Sequence, residues 1–383
     1  MNRLSTSWGE VSLARFPADP RDPLRAWDAA DEYLLRRLDE TAPDLSGTVV
    51  VLGDRWGALT ASLAAHRPVQ ITDSFLAQEA TRANLARNGI AGPDADAVRL
   101  LSARDVPPAR IDVLLVRVPK SLALLEDQLL RLAPAVHAGT VVIGAGMVSE
   151  IHTSTLRLFE RIIGVTTTSL AVRKARLILC TPDPALAPAP SAWPLRYALP
   201  ADTGVVANRT VTNHAGVFCA DRLDIGTRLF LSSLPERRGP DRVVDLGCGN
   251  GVVGTAAALA NPEASVLFVD ESFSAVASAE ATYRENVPSG TAEFLVGDGL
   301  SGVPDGSVDL VLNNPPFHSH RATTDTTARR MFGGARRALR PGGELWVIGN
   351  RHLGYHQRLK RLFGDCAVMA SNPKFVVLRA VKR

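Results

Sequence analysis

One order of strands and helices is written twice along this 383-residue chain. In the first half TVVVLG (48–53), VQITD (69–73), VRLL (98–101), IDVLLV (111–116), TVVIG (140–144) and RLILC (176–180) alternate with segments of helical spacing. In the second half RVVDLG (242–247), VLFVD (266–270), AEFLVGD (292–298), VDLVLNN (308–314), ELWVIG (344–349) and FVVLRA (375–380) do the same. Short β-branched apolar runs separated by helices read as buried strands of a mostly parallel sheet, with helices on both faces. Equivalent points keep step, Gly53 with Gly247, Asp112 with Asp309 and Lys174 with Lys374, at offsets of 194, 197 and 200 residues. The pattern is an internal duplication, and the fold class it predicts is α/β, built as tandem Rossmann-like domains.

The domain boundaries follow from composition. Residues 1–180 form the first domain, and 201–383 the second. Between them, 181–200 carries prolines at 182, 184, 188, 190, 194 and 200 and reads as a linker. A short N-terminal arm is expected to lead into a helix with Asp22 as N-cap and Pro23 as its first residue. Leu24, Trp27, Leu34, Leu35 and Leu38 would then line one helix face. Segments 195–199 and 205–211 read as a hairpin opening the second domain.

The copies diverge where chemistry would live. DLGCGNG (245–251) in the second is VLGDRWG (51–57) in the first, so Asp245 is matched by Val51 and Gly249 by Arg55. Asn314-Pro315-Pro316-Phe317 is matched by Arg117-Val118-Pro119-Lys120. The two prolines end the strand abruptly, since neither can donate to a ladder. At such a strand end Asn314 Oδ1 and the Pro315 carbonyl can accept both hydrogens of an exocyclic amine, while Phe317 stacks on the ring that carries it. Taken alone, NPPF is equally a Pro-Pro turn with Phe317 as packing.

The preceding motif decides between these readings. Gly247, Gly249 and Gly251 allow a tight turn and close backbone approach to a ligand. Asp270 ends the next strand, where it can accept from two ribose hydroxyls, and Asp298 ends the third, where it can accept from an adenine amino group. Residues 249–254 also fit the shorter G-x-G-x-x-G pattern, with Asp270 placed 19 residues beyond Gly251, so a NAD-dependent oxidoreductase is a competing reading. Any one of these aspartates is ordinarily a turn cap. Three at successive strand ends, followed by NPPF, make an ordered set.

The net charge of +4 hides an asymmetry: residues 321–383 hold 14 basic and 3 acidic side chains, against 8 and 15 in 191–320. A basic excess beside the amine cradle fits a phosphate-rich substrate, although a solvated helix face is the plainer explanation of any charge run. Phe218, His318, Arg321, Arg329, Arg330 and Arg351 are the candidate nucleic-acid contacts. The four cysteines (Cys180, Cys219, Cys248, Cys366) form no C-x-x-C pair, so neither a metal site nor a disulfide is expected. No apolar run reaches membrane-spanning length and no signal-like segment opens the chain, so a cytoplasmic protein without membrane contact is expected.

The ordered set resembles the class I S-adenosylmethionine-dependent methyltransferases of the amino-methylating branch. His214-Ala215-Gly216-Val217-Phe218, Leu223-Asp224-Ile225-Gly226-Thr227-Arg228, NPPFH, Arg351-His352-Leu353 and Lys374-Phe375-Val376-Val377-Leu378, with the degenerate first copy, narrow this to ribosomal RNA guanine-N2 methyltransferases of the RsmC/RlmG type. WDAADEYLL (27–35), VPKSLALLE (118–126), IHTSTLRLFE (151–160) and NRHLGYHQRLKRLFG (350–364) fit the RlmG kind, which modifies 23S rRNA. The resemblance implies S-adenosylmethionine as cofactor, bound through Asp245, Gly247, Gly249, Gly251, Asp270, Asp298 and Asn314. It implies catalysis by Asn314, Pro315 and Phe317 on a guanine N2 of ribosomal RNA, with a monomer expected. The first copy is expected to be non-catalytic, serving stability or RNA docking. The cradle itself suits other amines equally, so 16S guanine-N2, adenine-N6 and glutamine-N5 methylation stay open, as does a non-enzymatic rRNA-binding assembly factor.

Overall fold

The computed structural model describes residues 2–18, 23–90, 97–316 and 321–383. The chain divides into two compact units, Met1–Ala192 and Trp193–Arg383. The first runs β1 (Asn2–Thr6), β2 (Gly9–Leu13), α1 (Ala29–Thr41), β3 (Val49–Leu52), α2 (Ala58–Ser62), β4 (Val69–Thr72), α3 (Phe75–Arg87), β5 (Arg99–Ser102), β6 (Ile111–Arg117), α4 (Leu122–Leu132), β7 (Val136–Met147), α5 (Thr153–Ile162), β8 (Gly164–Thr168) and β9 (Ala175–Pro182). The second begins with β10 (Leu195–Ala198), β11 (Thr210–Asn213), α6 (Ile225–Leu231), β12 (Arg242–Leu246), α7 (Val252–Ala260), β13 (Ser265–Asp270), α8 (Phe273–Asn286) and β14 (Thr291–Val296). It ends with β15 (Val308–Asn313), α9 (Arg321–Ala338), β16 (Leu339–Asn350), α10 (Tyr355–Phe363), β17 (Ala367–Ser371) and β18 (Phe375–Val381).

Each unit contains a seven-stranded sheet, ordered β5-β4-β3-β6-β7-β9-β8 in the first and β14-β13-β12-β15-β16-β18-β17 in the second. The first five strands of each pair in parallel, and the last two positions pair antiparallel. Successive residues feed opposite cores: Val49 and Val51 pack into one cluster, Val50 and Leu52 into the other. Val244 and Leu246 split from Val243 in the same way. Burial on both faces is why these strands read as unbroken apolar runs. Strand order progresses outward in opposite directions from the parallel neighbours β12 and β15, and such a switch point is where open sheets bind ligands.

The tandem Rossmann-like fold is therefore present, with local differences. Asp22 lies outside the described residues, Pro23 and Leu24 are not helical, and Leu24 is exposed. The helix instead starts at Ala29: Asp28 Oδ1 accepts the Ala30 amide at 2.8 Å, and Asp31 Oδ2 accepts the Asp28 amide at 2.9 Å. That reciprocal cap satisfies two otherwise orphaned donors, which a cap at Asp22 would not do for this apolar stripe. The second hairpin is 195–198 with 210–213, because Gly204–Val206 turns as a short 3-10 segment. Strands β8 and β17 are additional to the expected strands: both lie at sheet edges, β8 is mostly threonine, and β17, although apolar in four of its five residues, has none of them buried.

The supposed N-terminal arm is a hairpin, and it extends the duplication. Ser12 and Ala14 amides donate to Asn88 and Asn84 Oδ1 at 2.8 and 2.9 Å, tying β2 to α3. In the second unit the Thr212 amide donates to Thr282 Oγ1 at 3.1 Å, and Asn286 Nδ2 donates to the Thr210 carbonyl at 2.8 Å, tying β11 to α8. The polar side chains 84 and 88 occupy the positions of 282 and 286, so one latch was copied with the domain.

In the first unit the strand-tip crevice is filled by its own side chains. Arg117, fully buried, ends β6; its Nε lies 2.7 Å from Asp31 Oδ1, and Nη2 and Nη1 donate to Asp28 Oδ2 at 2.9 Å and the Ala145 carbonyl at 3.0 Å. Burial opposes its charge, but the carboxylates of Asp31, Asp28, Glu150 and Asp54 more than offset this and raise its pKa. Asp54 Oδ1 accepts the Gly57 and Ala58 amides at 3.0 and 3.1 Å, so a carboxylate already covers the α2 N-terminus. Replacing Arg117 by Ala strands Asp31 without its cation. The unit should then lose about 3–5 kcal/mol, read from the denaturant midpoint. A loss below about 1 kcal/mol, the worth of a surface pair, would show that the network does not hold the crevice shut.

Candidate active site at the strand tips of the second unit

Parallel pairing fixes where the site residues meet. Leu246 pairs with Asn313 across β12 and β15, so the glycine loop and Asn314 leave the sheet side by side. A Cβ placed on Gly247 would lie 3.1 Å from Met331 Cε, 3.9 Å from the Asn314 carbonyl oxygen and 4.0 Å from Asn313 Nδ2. The matching position in the first unit, Gly53, would meet the Arg117 carbonyl oxygen at 2.6 Å, so the second unit leaves more room between these tips.

The loop is held from below by β13. Gly247 and Cys248 amides donate to the Val269 carbonyl at 2.8 and 3.0 Å. Gly247 and Gly249 have φ of +72° and +54°, and a Cβ on Gly249 would meet nothing within 4 Å, so the backbone is bare on that side. Gly251 is required for packing: its Cβ would sit 2.7 Å from Ala279 Cα on α8. Asp270 accepts the Ser272 amide at 3.0 Å through Oδ1 and the Gly249 amide at 3.1 Å through Oδ2. A carboxylate offers about four acceptor positions, so capacity remains for a hydroxyl donor. Burial raises the Asp270 pKa against the Ser272, Gly249 and Glu271 amides.

Asp245 is almost wholly buried, and its Oδ2 accepts the Gly254 amide at 2.8 Å near the start of α7. Burial, with the Asp270 charge adding to it, pushes its pKa up to about 8 despite that hydrogen bond. Asp298 lies just beyond β14, where both its oxygens face Nη2 of Arg330 from α9. Arg330, expected on RNA, is thus ion-paired within the unit. Cys248 is buried, and burial raises its thiol pKa well above the ordinary value, so it supplies no thiolate.

The acceptor side is built from two asparagines. Asn313, not among the expected site residues, is fully buried and its Nδ2 donates to the Leu246 carbonyl at 2.7 Å, welding β15 to β12. A polar residue in an otherwise apolar strand was the available signal. Asn314 Nδ2 donates to Thr227 Oγ1 at 3.1 Å. Its Oδ1 is buried and has no partner among the described residues. A buried acceptor without a donor is costly, and ligand sites are where such groups are retained. Pro315 is buried and Pro316 exposed.

Phe317 and His318 lie outside the described residues, and Arg321 is the first residue of α9. Phe218 is 53% exposed. Arg329 is exposed on α9, and Arg351, exposed just after β16, donates from Nη1 to the Asn372 carbonyl at 3.4 Å. Arg351 therefore stands at the same sheet edge as Asn314, because Asn313 pairs with Val347. The bare Gly249 loop, the remaining acceptor capacity of Asp270 and the Asn314 Oδ1 without a partner among the described residues fit a nucleoside-bearing cofactor beside an amine.

The raised Asp245 pKa sets a pH dependence. Between 3.8 and about 8 the unfolded group is ionised while the folded one holds its proton. Stability should fall as pH rises through that window, by at most about 1.4 kcal/mol per unit. Asp245→Asn removes this slope, so its stability gain over the native protein should grow between pH 5 and pH 8 in urea melts. Parallel curves would show that Asp245 is ionised when folded.

The architecture and both motif sets have counterparts among known proteins. The family described as RLMG N-terminal domain matches residues 1–184, and the methyltransferase small domain matches 208–379. A protein of Streptomyces avermitilis named ribosomal RNA large subunit methyltransferase G is 73% identical, with 99% of each chain covered. One of the same name from Aeromonas hydrophila is 47% identical, again over 99% of each. The fold matches that of T. thermophilus 16S rRNA N2 methyltransferase (RsmC), solved with AdoMet and guanosine, at a TM-score of 0.75 and 20% identity, covering 100% of this chain and 98% of that one. Identity of this order over the full length places the chain in the ribosomal RNA large subunit methyltransferase G family.

Proposed function

We propose that the second unit methylates the exocyclic N2 of a guanine in large-subunit 23S ribosomal RNA, with S-adenosylmethionine as cofactor. The observation that carries this reading is the buried Asn314 Oδ1, without a partner among the described residues, on a residue whose backbone borders the glycine loop. Relatives over the whole chain are named for the large ribosomal subunit, which favours this substrate over adenine-N6 or glutamine-N5 methylation. The same relatives weigh against a non-enzymatic assembly factor, as does the bare Gly249 loop.

The cofactor supplies an electrophilic methyl group. The chain's part is to position the amine. Asn314 Oδ1 and the Pro315 carbonyl accept its two hydrogens, which turns the nitrogen lone pair away from the ring and towards the glycine loop. Gly247 and Gly249 cradle the cofactor, Asp270 accepts its ribose hydroxyls, and Asp245 holds the start of α7 through Gly254. Asp298 is assigned to the adenine amino group, for which it must share its oxygens with Arg330. Phe317 stacks on the base, while Phe218, His318, Arg321, Arg329 and Arg351 contact the RNA. Placement of two bound reactants lowers such a barrier by up to ~7–11 kcal/mol without a nucleophilic side chain. A base must leave its stack to reach this depth, and contacts to neighbouring phosphates offset that cost.

The first unit is assigned a non-catalytic role in stability or RNA docking, because Arg117 and Asp54 occupy its crevice. A cytoplasmic location follows from the substrate, and among the described residues no helix is long and apolar enough to cross a membrane. Labelled S-adenosylmethionine incubated with 23S rRNA, free or in assembled subunits, should leave the label on one guanine N2. Asn314→Ala should cut turnover by roughly 100-fold or more, with cofactor affinity retained. Label on an adenine or on protein, or full turnover in that variant, would overturn the assignment.

A further inference from the structure

An asparagine amide has two ends of nearly the same shape and opposite hydrogen-bonding sense. If the Asn314 NH2 faced the substrate, it would repel an amine and welcome a carbonyl. Catalysis on an amine therefore requires something to fix which end points where. Thr227 Oγ1 accepts from Asn314 Nδ2 at 3.1 Å. A hydroxyl can also donate, so this contact alone does not select an orientation.

Asp224 removes the ambiguity. It caps α6, its Oδ2 accepting the Thr227 amide at 2.9 Å and lying 3.4 Å from Thr227 Oγ1. A carboxylate only accepts, so it draws the single hydroxyl proton to itself. The hydroxyl is then left to accept from Asn314, and the amide must turn its NH2 towards Thr227 and its Oδ1 away. Oδ1 is the buried atom without a partner among the described residues.

The duplication supplies an independent observation. Asp28 caps α1 as Asp224 caps α6, and residues 31 and 117 correspond to 227 and 314, at offsets of 196 and 197. In the first unit Asp28 and Asp31 grip Arg117 at 2.9 and 2.7 Å. Both units thus use the first turn of the same helix to hold a residue at the same strand tip, Arg117 ending its strand and Asn314 following it. Two acids and an arginine close on one another as ion pairs. An acid, a threonine and an asparagine leave one amide oxygen without a partner among the described residues.

We infer that Asp224 and Thr227 are positioning residues that lock the Asn314 amide with its oxygen towards the substrate, so that the site selects an amine donor and rejects a carbonyl. This rests on Asn314 as the amine acceptor, and the test separates the two claims. Turnover, KM for RNA and cofactor affinity are measured for Thr227→Val, Thr227→Ala, Thr227→Ser and Asn314→Ala in the full-length protein. Thr227→Val, which keeps the shape, should lose about 10–100-fold in turnover with cofactor affinity unchanged. Thr227→Ala should lose as much, and Thr227→Ser should recover most of it. Native turnover in either Thr227→Val or Thr227→Ala, with Asn314→Ala inactive, overturns the orienting pair and leaves the role of Asn314 standing. A Ser variant as slow as Val also overturns the pair, since shape rather than the hydroxyl would then matter. An active Asn314→Ala overturns the underlying reading itself.

Discussion

The hydrogen bond from Asn313 Nδ2 to the Leu246 carbonyl, at 2.7 Å, fixes the separation of β12 and β15 where they leave the sheet. Everything in the site is measured from that join. The glycine loop departs from one strand and Asn314 from the other, and β13 holds the loop through Val269 and Asp270. Two reactants bound at adjoining strand tips meet only if this register holds. Since a one-residue slip would turn Asn314 to the opposite face of the sheet, register is the property that the surrounding apolar cores protect.

The two units show what one scaffold does with and without that opening. Strand order, hairpin latch and helix cap are shared, yet the first unit closes its crevice with a buried arginine and an aspartate on the helix N-terminus. Buried ion pairs stabilise little relative to apolar packing but are costly to break singly, so such a plug is fixed once formed. Both units carry such costs: Asp31 and Asp54 with pKa values raised by burial and the buried Gln70 Oε1 in the first, Asp245 and the Asn314 Oδ1 in the second, where they sit on residues that border the glycine loop. Unrelieved burial of this kind is concentrated where ligands bind.

Much of this was legible in the chain. The strand runs and the duplication could be read because strands buried on both faces are apolar throughout. The Gly247–Asp270–Asn314 set could be read because glycine loops and strand-end acids keep fixed spacing. The hairpin at Asn2–Leu13 was not legible: its strands are short, half-exposed and latched by Asn84 and Asn88, far away in sequence. The α1 cap was misplaced because Asp22-Pro23 imitates a helix start, whereas the Asp28–Asp31 pair supplies the actual reciprocal bonds. Thr227 and Asn313 carry no role that the sequence alone reveals, because their partners lie 87 and 67 residues away.

The central claim is that a single crevice in this chain takes the cofactor and that its twin is closed. Titration of the full-length protein with S-adenosylmethionine tests it most directly. The account predicts one equivalent bound per chain, and none after Asp270→Ala. Two equivalents, or undiminished binding in that variant, would contradict it.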